Sequence, residues 1–127
     1  MSYLVDTNIF LEILLEQEKK ESCKEFLDNN IGSLNISDFS LHSIGVILFN
    51  KKEHELFKKF IEDTLPNIEI ITNPKDNYEM VNDNSDKYSL DFDDAYQFTL
   101  AKTNDLKLKT MDKDFRNVKD EVEIEFL

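Results

Sequence analysis

Glycine and proline are scarce in this sequence, two of each in 127 residues. So little turn chemistry excludes a fold made of many tight hairpins and favours helices with short connections. A single cysteine, Cys23, excludes an internal disulfide and a multi-cysteine zinc site, and reads as a buried or half-buried helix residue. No apolar run approaches the roughly 18 residues that span a bilayer, so no membrane partner is expected. The N-terminus enters a strand-like run directly, which reads as a chain without a signal peptide and leads to the expectation of a cytoplasmic protein. Positive charge is also short: 15 Lys and Arg stand against 27 Asp and Glu, for a net charge of −12 at pH 7. That balance argues against nucleic-acid binding through a broad basic surface. Such binding needs local lysine clusters or bridging cations, and the surplus acid can instead be gathered in a cleft that holds a divalent metal.

Core material is plentiful. Hydrophobic residues make up 40% of the chain, with ten Phe among them. A chain of this length buries about two-thirds of its unfolded surface without a disulfide or structural metal. There is no internal repeat, low-complexity segment or linker, and residues 1–127 read as one domain.

The patterns alternate between strand and helix. Tyr3 to Val5 is a short apolar strand. From Asn8 the spacing is helical, with Ile9, Phe10, Ile13 and Leu14 on one face and Glu12 and Glu16 outside it. Lys20 to Asn29 is a helix with Cys23, Phe26 and Leu27 inward, stopped by Asn29, Asn30 and Gly32. Leu34 to Ile36 is a strand, and Ser37 caps a helix to about Asn50. Glu53 to Leu65 is a helix ended by Pro66, Ile68 to Ile71 a strand, and Asn73-Pro74 a cap and first turn for a helix to about Tyr88. Asp91 caps the helix from Phe92 to Asn104, Leu106 to Thr110 is a strand, and Val122 to Phe126 alternates as a last strand. Alternating strands and helices predict a largely parallel sheet, with ligands at the carboxyl ends of its strands.

Three acidic stations stand out: Asp6 in VDTN and Asp112 with Asp114 in TMDKDF each follow a strand, and Asp91, Asp93 and Asp94 in LDFDDA open a helix. Asp91 reads as a helix cap and Asp93 as a solvent-facing acid of the first turn, while Asp94 borders the packed face. Carboxylates brought together repel unless a cation intervenes. Mg²⁺ and Mn²⁺ prefer such hard oxygen ligands, and either ion can activate water and stabilise charge on a phosphodiester.

The segments VDTNIFLEIL, DFDDAYQFTLA and LKTMDKDF together resemble the pattern of PIN domains, as in the VapC-type ribonuclease toxins. The resemblance runs in order over nearly the whole chain. It implies an α/β fold, a three-layer α/β/α sandwich around a mainly parallel sheet, and metal-dependent cleavage of RNA. By the same resemblance Asp6, Asp94 and Asp112 match the catalytic, metal-coordinating acids, with Mg²⁺ or Mn²⁺ as cofactor. Asp114 matches an additional ligand or a residue behind the ligands. Asn8 and Thr7 match the polar support of the first acid, and Thr110 the hydroxyl residue before the fourth. Implied partners are an RNA substrate, an antitoxin that occludes the cleft, and a second copy of the chain. The apolar faces of the helices at Lys20–Asn29 and Ser37–Asn50 offer a surface for that last contact.

The chain departs from the pattern at one point. The family carries a Glu early in the helix after the second strand, and Ser43 occupies that position, beside His42. A neutral imidazole binds Mn²⁺ or Zn²⁺ better than Mg²⁺, so His42 is either a substitute ligand or a surface histidine. Lys107, Lys109, Lys113 and Arg116 lie near Asp112 in sequence and offer a phosphate contact. Tyr78, Tyr88 and Tyr96 read either as base-stacking residues or as core edge. Three functions therefore stand: a metal-dependent ribonuclease, a degenerate PIN-like module that binds RNA or protein without cutting, and an α/β domain whose acids only cap helices.

Overall fold

The computed structural model describes residues 2–127. Its centre is β1 (Tyr3–Val5), whose Leu4 and Val5 have no exposed surface. A strand apolar on both faces suits a parallel sheet covered on both sides. The chain continues through α1 (Thr7–Leu14) and α2 (Lys20–Asn29) to β2 (Leu34–Ser37). It then runs through α3 (Asp38–Asn50) and α4 (His54–Lys59) to β3 (Glu69–Ile71). From there α5 (Tyr78–Tyr88) and α6 (Phe92–Thr103) carry it back across the sheet to β4 (Lys107–Thr110), and β5 (Ile124–Phe126) follows at the edge. The five strands lie in the order β3-β2-β1-β4-β5, and every neighbouring pair is parallel. The order reverses between β1 and β4, which opens a crevice at their carboxyl ends.

Strand pleating sorts the two cores. Leu4 pairs in register with Leu108, and both join Phe98, Leu100, Phe115 and Val81 in one cluster that includes α5 and α6 residues. Val5 and Ile36 belong to the other, with Ile9, Phe10, Ile44 and Leu48 from α1 and α3. The three-layer α/β/α architecture is thus the one the sequence implies.

Four local readings change. The stretch read as one helix from Glu53 to Leu65 is α-helical only over His54–Lys59; a π-helical turn, Phe60–Thr64, and a 3-10 turn, Leu65–Asn67, follow. Pro66 has no N–H to donate to the helical ladder, so the end is remodelled even though Leu65 keeps right-handed helical angles (φ −59°, ψ −34°). Asn73 is not a cap. Its backbone N–H donates to Tyr96 Oη at 3.1 Å and its Nδ2 to the Tyr96 carbonyl at 3.2 Å, while Pro74 is extended and a 3-10 turn, Lys75–Asn77, leads into α5. Glu12, read as outward, is buried and accepts from the Lys19 N–H at 2.8 Å. Finally, α2 turns Cys23 and Leu27 into the core, whereas α3 leaves Val46 and Phe49 exposed; of the two faces considered for a partner, α3 keeps free apolar surface. Among the described residues no helix is long and apolar enough to cross a membrane.

The shortage of glycine has a structural price. Glu16, Lys52, Ser89 and Asp105 adopt positive φ of 51°, 58°, 56° and 52°, the left-handed conformation in which glycine usually ends a helix. A non-glycine residue there is disfavoured by about 1–2 kcal/mol, partly offset because glycine loses about 0.4–1 kcal/mol more on folding. Lys52→Gly is therefore expected to raise stability by about 0.5–1 kcal/mol in urea unfolding. Lys52→Ala serves as the comparison; an equal gain there would show that the backbone angle is not the cause.

Candidate metal centre

Asp6 follows the last residue of β1, with extended backbone angles (φ −70°, ψ 154°), and caps α1 by accepting from the Thr7 N–H at 2.8 Å. Its own N–H donates to the Lys109 carbonyl at 2.9 Å, which extends the β1–β4 ladder into the crevice. Three side chains complete its surroundings. Thr110 Oγ1 donates to Oδ2 at 2.7 Å, Asn8 Nδ2 to Oδ2 at 3.2 Å, and Gln97 Nε2 to Oδ1 at 3.3 Å. Burial pushes the Asp6 carboxyl above the usual carboxylate range, against the opposing pull of the Thr110, Thr7 and Gln97 hydrogen bonds.

Thr110, fully buried at the end of β4, does double duty. The hydroxyl that donates to Asp6 also accepts from the Asp112 N–H at 2.9 Å. Asn8 makes a parallel tie, its Oδ1 accepting from the Met111 N–H at 3.3 Å. Asp112 in turn accepts from the Asp114 N–H at 2.9 Å and starts the 3-10 segment Lys113–Val118. The first and fourth acids are therefore fixed to one another by backbone as well as by side chain.

Asp94 arrives from α6. Asp91 caps that helix, accepting from the Asp94 N–H at 2.9 Å. Every residue from Asp94 to Ala101 is buried, so the helix is held on all sides. One carboxylate oxygen each of Asp94, Asp112 and Asp114 lie within 4.8 Å of one another. Asp6, Asn8, Ser43, Asp94, Gln97 and Asp112 line one cavity of about 320 Å³. The Asp94 carboxyl is pushed up to about 8, first by burial and then by Asp112, Asp91, Asp6 and Asp114.

The other sequence candidates divide. Thr7 lines the cavity and donates to Ser40 Oγ at 2.7 Å. Ser43 also lines it, half-buried. His42 does not: one residue along a helix turns a side chain by about 100°, and His42 lies exposed over a separate apolar groove with Gly45, Val46 and Phe49. Lys107 and Lys109 form ion pairs of 3.3–3.6 Å with Glu123 and Glu125, so they are engaged along the β4–β5 edge; Lys113 and Arg116 are exposed beyond Asp112.

Gln97 was missed. It is 2% exposed, and its Nε2 donates both to Asp6 and to Ser40 Oγ, at 2.6 Å in the latter case. A glutamine inside DDAYQFTLA, three residues after an acid and on the same helical face, was the available signal. Its Oε1 is buried without a partner. An orphaned carbonyl oxygen and a set of purely oxygen donors fit a hard divalent ion such as Mg²⁺ or Mn²⁺ better than a zinc site built on His and Cys.

The family model described as PIN domain matches residues 3–121. No curated protein matches the sequence. Several solved structures share the fold. VapBC2 from Rickettsia felis, bound to a DNA fragment from its promoter, has a TM-score of 0.80 at 16% identity, covering 99% of this chain and 98% of the other. VapC20 from Mycobacterium tuberculosis, described as a sarcin-ricin loop cleaving toxin, has a TM-score of 0.76 at 16% identity, covering 91% and 93%. A toxin-antitoxin complex from Klebsiella pneumoniae gives 0.73 at 24% identity, covering 90% of each chain.

Because Asp94 holds its proton more tightly in the folded than in the unfolded chain, the folded state binds more protons between about pH 4 and pH 8. Stability of the metal-free protein is expected to fall as pH rises through that window. Asp94→Asn should flatten the fall in a series of thermal melts; a slope unchanged by the substitution would assign the effect to other groups.

Proposed function

The chain belongs to the PIN domain family, and from that premise we propose that it is a divalent-metal-dependent endoribonuclease of the toxin type, cutting RNA phosphodiesters in the acidic cavity. The observation that carries this reading is the meeting of Asp94, Asp112 and Asp114 oxygens within 4.8 Å, beside Asp6 on the same cavity. These three carboxylates would hold Mg²⁺ or Mn²⁺. When bound, such an ion supplies Lewis acidity, lowering the pKa of water and offsetting the charge that develops on the phosphate. The chain's own part is positioning. Thr7, Gln97, Asn8 and Thr110 give four donors to the two Asp6 oxygens, so Asp6 is held fixed as one wall of the cavity and would favour a cation there. Thr110 and Asn8 keep the Asp112 loop in register with that wall. The Asp94 carboxyl would have to give up its proton to hold a cation.

Ser43 favours a second reading, a PIN domain that binds RNA or protein without cutting. It faces the cavity where the family pattern has a Glu, and a hydroxyl adds neither charge nor a strong ligand there. The two readings separate on structured RNA incubated with and without Mn²⁺. A nuclease cleaves only with metal, and Asp6→Asn and Asp94→Asn each lower the rate by at least about 100-fold, the scale of losing one electrostatic stabiliser. Calorimetric uptake of Mn²⁺ with no cleavage would establish the binding module instead, and cleavage that survives both variants would end the nuclease reading.

We also infer a protein partner, an antitoxin, docking on the outer side of α3 and α4. There Leu41, Gly45, Val46, Phe49 and Phe57 line an open groove of about 590 Å³, with Phe49 54% exposed. The structural relatives named above include toxin-antitoxin complexes. Co-expression with a small neighbouring reading frame should yield a complex that co-elutes on size exclusion and is lost with Phe49→Asp. Co-elution indifferent to Phe49→Asp would put the partner on another face.

A further inference from the structure

Next to the acidic cavity, between two of the acids that line it, the chain exposes an aromatic ring. Phe92 opens α6, between Asp91 and Asp93 and two residues before Asp94, and half of its surface, 50%, is in solvent. It rests on a fixed base. Its ring centre is 6.0 Å from Phe39 and 6.1 Å from Tyr96, and those two are 5.6 Å apart. Tyr96 cannot swing away, because its hydroxyl donates to Asp38 Oδ1 at 2.7 Å and accepts from the Asn73 N–H at 3.1 Å. Phe39 also lines the acidic cavity itself, so the aromatic group and the carboxylates share one surface.

We propose that Phe92, supported by Phe39, is the stacking platform for an unpaired nucleobase of the RNA whose phosphate enters the acidic cavity, a subsite that rests on the nuclease reading. The surrounding charge identifies the occupant. Asp91 and Asp93 are exposed at the rim of the cavity, where they repel phosphate. A nucleobase is neutral, offers a flat face to the ring, and carries amino and imino N–H groups that a carboxylate accepts. The base must be unpaired, since a duplex hides the faces of its bases. A chain with a net charge of −12 gains from such a contact because it does not depend on cationic side chains. Of the tyrosines considered for stacking, Tyr96 is buried beneath the platform and Tyr88 packs on Phe98 at 5.3 Å. Tyr78 is 47% exposed and lies edge-on to Tyr96 at 6.0 Å, but it has no ring contact with the cavity-lining Phe39, on which Phe92 rests.

The sequence contains no tryptophan, so Phe92→Trp installs a single indole as a reporter. With Mn²⁺ present, a single-stranded oligoribonucleotide is expected to quench that fluorescence in the mixing phase before cleavage, and the same sequence as a full duplex should not. In steady-state cleavage, Phe92→Leu keeps the apolar contact but removes the aromatic face; its KM should rise roughly 5- to 150-fold above that of Phe92→Trp, the range associated with one stacked base. Absent quenching, equal quenching by the duplex, quenching only by a protein partner, or equal KM values for the two variants would each overturn the platform. Quenching by single strands without cleavage by the unaltered chain would support the platform and sink the nuclease reading; cleavage without quenching would do the reverse.

Discussion

Like charges do not gather in a partly buried cleft unless something else holds them there, and this fold rests on that constraint. Four acids from three separate parts of the chain meet where β1 and β4 end. The sheet sets the spacing of β1 and β4 through the Asp6 N–H bond to Lys109, and the Thr110 hydroxyl converts that spacing into a side-chain tie between the first acid and the backbone of the fourth. Two of the acids have a further duty that stabilises their position, Asp6 and Asp112 each accepting a backbone N–H, while Asp91 caps the first turn of α6 through the Asp94 N–H. Capping and charge convergence are therefore one arrangement. The reading in which the acids only cap helices describes half of what they do.

Much of this was legible because it is local. Asp6, Ser37 and Asp91 each precede a helical pattern, and each accepts from the helix it starts. The parallel sheet followed from alternation, and the acids after β1 and β4 marked two carboxyl ends, whereas the strand order and its reversal were visible only in the structure. The losses came where a partner distant in sequence decides. Asn73-Pro74 carries a good cap signal, yet Tyr96 claims the Asn73 backbone N–H and Nδ2, a contact 23 residues away. Glu12 sits where helical spacing points outward but is enclosed where it accepts the Lys19 N–H after the turn. Lys107 and Lys109 looked free to meet phosphate until β5 placed Glu123 and Glu125 beside them. Gln97 was hidden by its apolar neighbours, though a lone amide among them was itself the clue.

The charge balance takes on a different meaning with the structure. Acid in excess argues against broad electrostatic attraction for RNA, and the lysines of β4 are engaged by glutamates. A substrate would then be selected at close range, by a cation for its phosphate and an aromatic surface for its base, rather than drawn in from a distance. Such a surface trades capture rate for discrimination.

One further consequence follows from α6, enclosed along eight successive residues from Asp94 to Ala101. A helix gripped on every side has no slack: rotating or sliding it would disrupt the core cluster that holds Ala95, Phe98, Leu100 and Ala101, and with it the Gln97 contacts to Asp6 and Ser40. Its acid cannot be withdrawn by a gentle local motion, in the way a hinged loop retracts a residue. A partner that docks on the α3–α4 groove would therefore leave the acid where it stands, and could depart again without the protein having to refold.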